Sequence, residues 1–315
     1  VMTGPQHGES PARQDLPLLT SMDLAVAAWL LALLPLSWLA PQRWWTPVCV
    51  GVGRVIERLD PRGTATRVEQ VSRRRGDHGG LPAPQDIVTG SRAARMERNL
   101  QYLRESRPGG WDTRVELSGG EHIDHALADG KGCILWVGPM MYAYLVAKKG
   151  LYAAGYSAIH LSHVGHAVSQ TRLGHRLNVL RTRPENRSLA ERLVMTDGSE
   201  LKRTRDLYGR LQANVLVSIT AETRWGARMV AAPFLGGEIH LPTGAPSLSL
   251  ATGATLLPTF AYKRTYDRFE VIIEPALTAT RSEDRHAAVD DLVRRYTQRV
   301  EQYVTEFPDQ YAEWW

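Results

Sequence analysis

The sequence predicts an α/β fold: a largely parallel mixed sheet flanked by helices, preceded by an apolar N-terminal helical segment. Three observations carry that reading. From residue 121 onward, short apolar runs of strand formers alternate with amphipathic stretches of helical length, the order that builds a parallel sheet with helices on its faces. At 315 residues and 43% apolar, the chain is long enough to bury such a core, and disorder throughout is excluded. Residues 22–45, "MDLAVAAWLLALLPLSWLAPQRWW", form a nearly uncharged stretch of helical length.

The elements come in order. Residues 1–20 are polar and proline-bearing without an apolar period, which predicts a flexible arm. Residues 21–110 comprise an apolar helix segment and a basic helical region. The apolar segment is long enough to span a bilayer, and Arg43 beside Trp44 and Trp45 resembles an interface anchor; the alternative is a helix hairpin packed on the protein and broken at Pro35. "SRRRGD" at 72–77 leads into "GDHGGLPAPQD", expected to be a mobile insertion. In "SRAARMERNLQYLRES", Met96, Leu100 and Leu103 have helical spacing.

Residues 111–315 hold the α/β unit. It reads as helix "EHIDHALADG", strand "GCILWVG", helix "MMYAYLVAKKGLYAAG", strand "SAIHLSH", helices "VSQTRLGHRLNVL" and "SELKRTRDLYGRLQA", and strand "NVLVSITA". A small-residue helix, "GAPSLSLATGA", then precedes strands "TLLPTFAYKR" and "RFEVIIEPAL" and the amphipathic helix "RHAAVDDLVRRYTQRVEQYVTEF".

Lys and Arg number 38 against 33 Asp and Glu, for a net charge of +5. That balance suits an anionic partner such as a phosphorylated carrier, a lipid headgroup or RNA, or else a surface solvated by scattered arginines. Cys49 and Cys133 lie in apolar stretches without metal-like spacing and read as reduced core residues, so no disulfide framework is implied. Ser247 and Ser249 near His240 lack the Gly-x-Ser-x-Gly elbow of a serine nucleophile, and the small residues around them suit close helix-to-sheet packing. Tyr311, Trp314 and Trp315 read as a cap on the core. No cofactor and no metal is implied.

Three pieces in order carry a resemblance: "HIDHALADGKGCIL", "APFLGGEIHLPTGAPSLSLATGATLLPTFAYKR" and "VEQYVTEFPDQYAEWW". From about residue 20 onward the chain resembles the late acyltransferases of lipid A biosynthesis, the lauroyl and myristoyl transferases, together with related bacterial lysophospholipid and mannoside acyltransferases. The resemblance implies an acyltransferase-like domain over 111–315 and a membrane anchor in the apolar segment. It also implies a His and an acidic residue, four positions between them, just after the strand that succeeds "GKG". In register, those places hold Pro139 and Tyr144, and no His, Asp or Glu occurs from Cys133 to Tyr156.

Such a dyad exists because a hydroxyl is a poor nucleophile: the imidazole takes its proton and the carboxylate orients the imidazole. Proline has no proton to exchange, and a tyrosine is a weak base at neutral pH that still donates a hydrogen bond. Three readings stay open. Another residue supplies the base: His160, His163 and His166 stand at the end of the next strand, expected beside the lip, where ligands collect in parallel sheets. Or the acceptor is an amine such as a hydroxylamine, unprotonated at neutral pH, and positioning suffices. Or catalysis is lost and the fold is a binding scaffold.

The family's acidic turn after a buried strand falls on Glu222, which either orients a His or an acceptor amine or pairs with Arg224 or Arg228. Arg172, Arg176 and Arg264 resemble positions where the family keeps basic residues near the donor, and arginine forks suit phosphate. The expectation is therefore an acyl-group transferase moving a fatty acyl or aminoacyl group to an amine or hydroxyl. Its catalytic candidates are His163, His166 and Glu222, and Pro139, Tyr144, His160 and the arginines form the substrate site. The donor is an acyl carrier protein, a coenzyme A thioester or a charged tRNA, the last making it an aminoacyl-tRNA-dependent enzyme of secondary metabolism. The expected location is the cytoplasm, with contact at the inner membrane face through residues 22–45 as an added option.

Overall fold

The structure, a computed structural model, describes residues 17–76, 78–163, 169, 171–196, 200–223, 226–279 and 284–315. Most of the expected arm, His166 and Arg224 lie outside them.

Helix α1 (Ser21–Leu39) opens with a capping box: the Asp23 amide donates to the Thr20 hydroxyl and the Thr20 amide to the Asp23 carboxylate. It runs unbroken through Pro35, so the break that the hairpin alternative places there does not occur; the chain reverses only at residues 40–44. The last turn is locked onto α4 (Pro84–Glu105): the Ser37 hydroxyl donates to the Leu100 carbonyl and the Trp38 indole to the Leu103 carbonyl, both at 2.9 Å. Arg104 in turn donates to the Ser37 and Ala40 carbonyls. Helices α2 (Trp45–Leu59) and α3 (Pro61–Arg75) complete a helical layer around α4, whose Met96, Leu100 and Leu103 are buried as their spacing predicts. At its described residues, the expected mobile insertion is tied to the end of α3. Arg75 donates to the Pro82, His78 and Leu81 carbonyls, and Leu81 is buried.

The main sheet contains β1 (Arg114–Ser118), β2 (Cys133–Val137), β3 (Ile159–His163), β4 (Glu191–Met195), β5 (Leu216–Thr220), β8 (Thr255–Lys263) and β9 (Arg268–Ile273), in the order β1-β9-β8-β2-β5-β3-β4. Every pairing is parallel except β8 with β9. β6 (Met229–Phe234) and β7 (Gly237–Pro242) form a separate antiparallel hairpin. Helices α5 (Gly120–Ala128), α6 (Lys148–Ala153), α7 (Arg172–Asn186), α8 (Glu200–Gln212), α9 (Gly244–Thr252) and α10 (Arg285–Glu306) supply the crossovers and flanks. Gly119 turns from β1 into α5 at φ 80°, where a Cβ would lie 1.9 Å from the Ile273 carbonyl oxygen, so only glycine fits.

β2 is fully buried, and Trp136 stacks on Tyr296 of α10 with ring centroids 3.7 Å apart. Cys49 and Cys133 are both free and buried. β3 does not lie beside β2 as the sequence suggested: β5 stands between them. The helix expected at 140–155 begins with a π-helical turn, Ala143–Ala147, before α6.

Candidate active site

The lip just beyond β2 is sealed. The Gly138 amide donates to the Thr259 carbonyl at 2.8 Å, and a Cβ at Gly138 would strike the Phe260 ring at 2.5 Å. Met140 bridges Tyr311 in antiparallel fashion, the Ala312 amide donates to the Pro139 carbonyl at 2.9 Å, and the Met141 amide donates to the Gln310 carbonyl at 2.6 Å. Gln310 in turn clamps Lys263, its side chain accepting from the Lys263 amide at 2.8 Å and donating to the Lys263 carbonyl at 2.9 Å. Pro139, Met140 and Met141 are buried beside this tail, and Tyr142 is buried against Phe269.

Tyr144, one turn further, is half-buried and faces a different space. A cleft of about 830 Å³ opens at the C-terminal ends of β3 and β5 and wraps over both faces of the sheet. Parallel strands direct ligands to that end. One arm lies among apolar side chains, including Trp136, Leu161, Ile219, Leu207 and Leu248. The other reaches Tyr144, His160 and the charged face of α7.

Of the residues singled out by sequence, His160, His163, Glu222, Arg228 and Tyr144 line this cleft. His160 is buried, its Nδ1 3.4 Å from the Ser218 hydroxyl, which sits opposite it in register on β5. His163 ends β3 and Glu222 lies two residues past β5; both are half-buried. Burial, followed by the charge of Glu222, pushes the Tyr144 phenol well above its ordinary value, so at neutral pH it is a hydrogen-bond donor and no base. Arg228 is held by Asp290 at 2.7 Å. Arg172 and Arg176 are exposed on α7 and do not line the cleft. Arg264 lies over the Tyr262 and Phe307 rings and pairs with Glu306 and Glu270, away from the cleft. Pro139 is likewise absent from the cleft wall, buried behind the tail.

Sequence reasoning missed a buried charged group on the same wall. Glu185 of α7 accepts from the Tyr102 hydroxyl at 2.6 Å on one oxygen, and on the other from Lys148 and from Arg192 of β4, the latter at 2.6 Å. Lys148 and Glu185 are 4% and 6% exposed at the side chain. Burial drives the Lys148 ammonium from 10.5 down to about 8, against the opposing pull of Glu185, and the cations around Glu185 hold its carboxyl below the usual range despite burial. The available signal was Glu185 on the inner stripe of α7 with Gly174 and Leu177, a charge where a core residue belongs.

The family model described as bacterial lipid A biosynthesis acyltransferase matches residues 91–314. No curated protein matches. Among solved structures, the chain is similar to the crystal structure of the 1-acyl-sn-glycerophosphate (LPA) acyltransferase PlsC from Thermotoga maritima. The TM-score is 0.36 and the identity 11%, over 85% of this chain and 98% of that one.

Proposed function

Because the chain belongs to the bacterial lipid A biosynthesis acyltransferase family, we propose that it transfers an acyl or aminoacyl group in the cleft at the ends of β3 and β5, with no chemistry at the lip. The observation that carries this reading is the contrast in access. Pro139 is buried beneath the tail, whereas His163, Glu222 and Tyr144 share an open cleft.

In this reading the acceptor nitrogen or oxygen attacks the carbonyl carbon of an activated ester or thioester. The new C–N or C–O bond forms as the C–S or C–O bond to the donor breaks. The acceptor's proton passes to His163, with Glu222 orienting acceptor or imidazole, and the Tyr144 hydroxyl donates to the oxygen on which charge develops. An amine acceptor that is neutral at pH 7 needs least from these groups, since positioning alone supplies much of the rate. An acyl carrier protein, a coenzyme A thioester and a charged tRNA all present such an ester beside an anionic body, which suits the basic chain.

The same reading places the protein at the inner membrane face. Among the described residues α1 is the one helix long and apolar enough to cross a bilayer, yet its C-terminal turn is fastened to α4. Met22, Leu24, Leu31, Leu39 and Trp44 are exposed, as are Val179 and Leu180 on the outer side of the cleft-lining α7. An exposed apolar surface beside the cleft wall suits contact with a membrane, with the substrate site close to it.

Mass spectrometry after incubation with acyl thioesters, aminoacyl-tRNAs and a panel of amine and hydroxyl acceptors tests the proposal. A covalent acyl product supports it, and its absence across the panel selects a silent binding homologue. Co-sedimentation with anionic lipid vesicles, lost on Leu24→Glu with Leu31→Glu, tests the membrane placement.

A further inference from the structure

The cleft is lined by more cationic side chains than carboxylates: Lys148, Arg181, Arg192, Arg228 and Arg285 against Glu185 and Glu222. Arg181 stands one turn before Glu185 on the same face of α7, with Asn178 and Thr182 beside it, and lines the cleft. Glu185 is already occupied, one oxygen by Tyr102 and the other by Lys148 and Arg192. Among the described residues no carboxylate forms an ion pair with Arg181. Its guanidinium lies over the Tyr102 ring at 5.6 Å and is attracted by Tyr102 and Glu185, while its buried Nε has no hydrogen-bond partner. Arg98, behind it, repeats the arrangement over the Tyr144 ring at 5.3 Å, again with an unpartnered Nε. Lys148, Arg192 and Arg181 thus share Glu185 on the cleft wall, with Arg98 buried nearby and Glu222 the second carboxylate lining the cleft.

Burying a charged group is costly, and buried cations at a cleft wall mark candidate binding sites for an anion. We propose that the charged arm of the cleft is a binding subsite for an oxyanion group, a carboxylate or a phosphate, of the molecule that enters the cleft, with Arg181 as its principal contact. The guanidinium fork matches either group through two parallel N–H donors. The subsite is separate from Arg172, Arg176 and Arg264, which the family resemblance assigned to the donor and which lie outside the cleft. The apolar arm would hold the attached chain. That the bound molecule is a substrate rests on the transferase reading, whereas binding is measured without turnover and so stands or falls separately.

The probes are octanoate, octyl phosphate and the uncharged octanamide, each titrated calorimetrically into the full chain. At least one anionic probe is expected to bind about tenfold or more tightly than octanamide, and the stronger of the two identifies carboxylate or phosphate as the preferred group. Arg181→Gln is expected to reduce that preference to about unity, and Arg181→Lys to keep part of it. If Arg181→Gln fails to melt cooperatively, salt dependence in the wild-type protein decides. Raising ionic strength from about 0.05 to about 0.3 M is expected to weaken the anionic probes several-fold and leave octanamide unchanged. Equal binding of charged and uncharged probes, no binding of either anion at millimolar concentration, a preference that survives in folded Arg181→Gln, or salt-insensitive binding would overturn the proposal.

Discussion

β2 and β5 run side by side in register and end level, with Val137 opposite Thr220. The segments beyond these two strand ends could hardly differ more. After β2 the chain is roofed by Gln310–Ala312 and its side chains are buried; after β5, Ala221 bonds back to Val137 and Glu222 emerges half-buried at the cleft. Two neighbouring strand ends of one parallel sheet have equal topological claim to a ligand. Packing of a distant segment, and not strand position, decides which of them opens into the cleft.

The largest expected effect lies on the cleft side. Glu185→Leu leaves Lys148 and Arg192 buried without their carboxylate and is expected to cost about 3–5 kcal/mol in urea denaturation. On the lip side, Gln310→Ala strips both side-chain bonds from the Lys263 backbone and is expected to cost about 1–3 kcal/mol. A smaller loss at Gln310 than at Glu185 sharpens the contrast; the reverse order would break it.

Activity separates the two ends further. For whichever donor and acceptor pair reacts, Ala at His163 or Glu222 is expected to lower kcat/KM at least about tenfold. Wild-type rates in both variants would remove the cleft end from the chemistry. The paired change Pro139→His with Tyr144→Glu is expected to give no gain in rate, because an imidazole at 139 would sit under the tail. A large gain would mean that the lip is only a decayed dyad.

The smallest effect is a pH slope. The folded protein releases the Lys148 proton near pH 8 while the unfolded chain holds it to the ordinary 10.5, so the unfolded state binds more protons in between. Stability attributable to this group therefore rises as pH climbs through that window. At the acid end the depressed Glu185 works in the usual carboxylate direction: its contribution is present above its ordinary value of 4.5 and is lost as pH falls below it. Denaturation midpoints from pH 7 to 10, compared with Lys148→Met, measure the alkaline slope, which is expected to flatten in the variant.

Much of the fold was legible because strands β2, β3, β5, β8 and β9 carry continuous or alternating apolar runs. β1 and β4 were not read: "RVELS" and "ERLVM" are edge strands with charged residues at their starts, and half-exposed edges dilute the pattern. Strand order was not legible either, since periodicity reports faces and not neighbours, and so β3 was expected where β5 stands. The site was visible in part. Of the cleft-lining residues, His163 and Glu222 stand at or just past strand ends as expected, whereas His160 lies inside β3. The inner stripe of α7 marks Glu185 as a buried charge, but no local spacing announces its pairing with Lys148 across 37 positions of sequence.

The seal over the lip also sets an order in time. Met140 meets Tyr311 only after nearly the whole of the intervening chain has been made, so during synthesis β2 can pair before the turn beyond it has any cover. Until residues 310–312 arrive, the Met141 amide and the Pro139 carbonyl lack their backbone partners. A nascent chain cut short before that point would carry an assembled sheet with an adhesive, uncapped end, a species for quality control to remove.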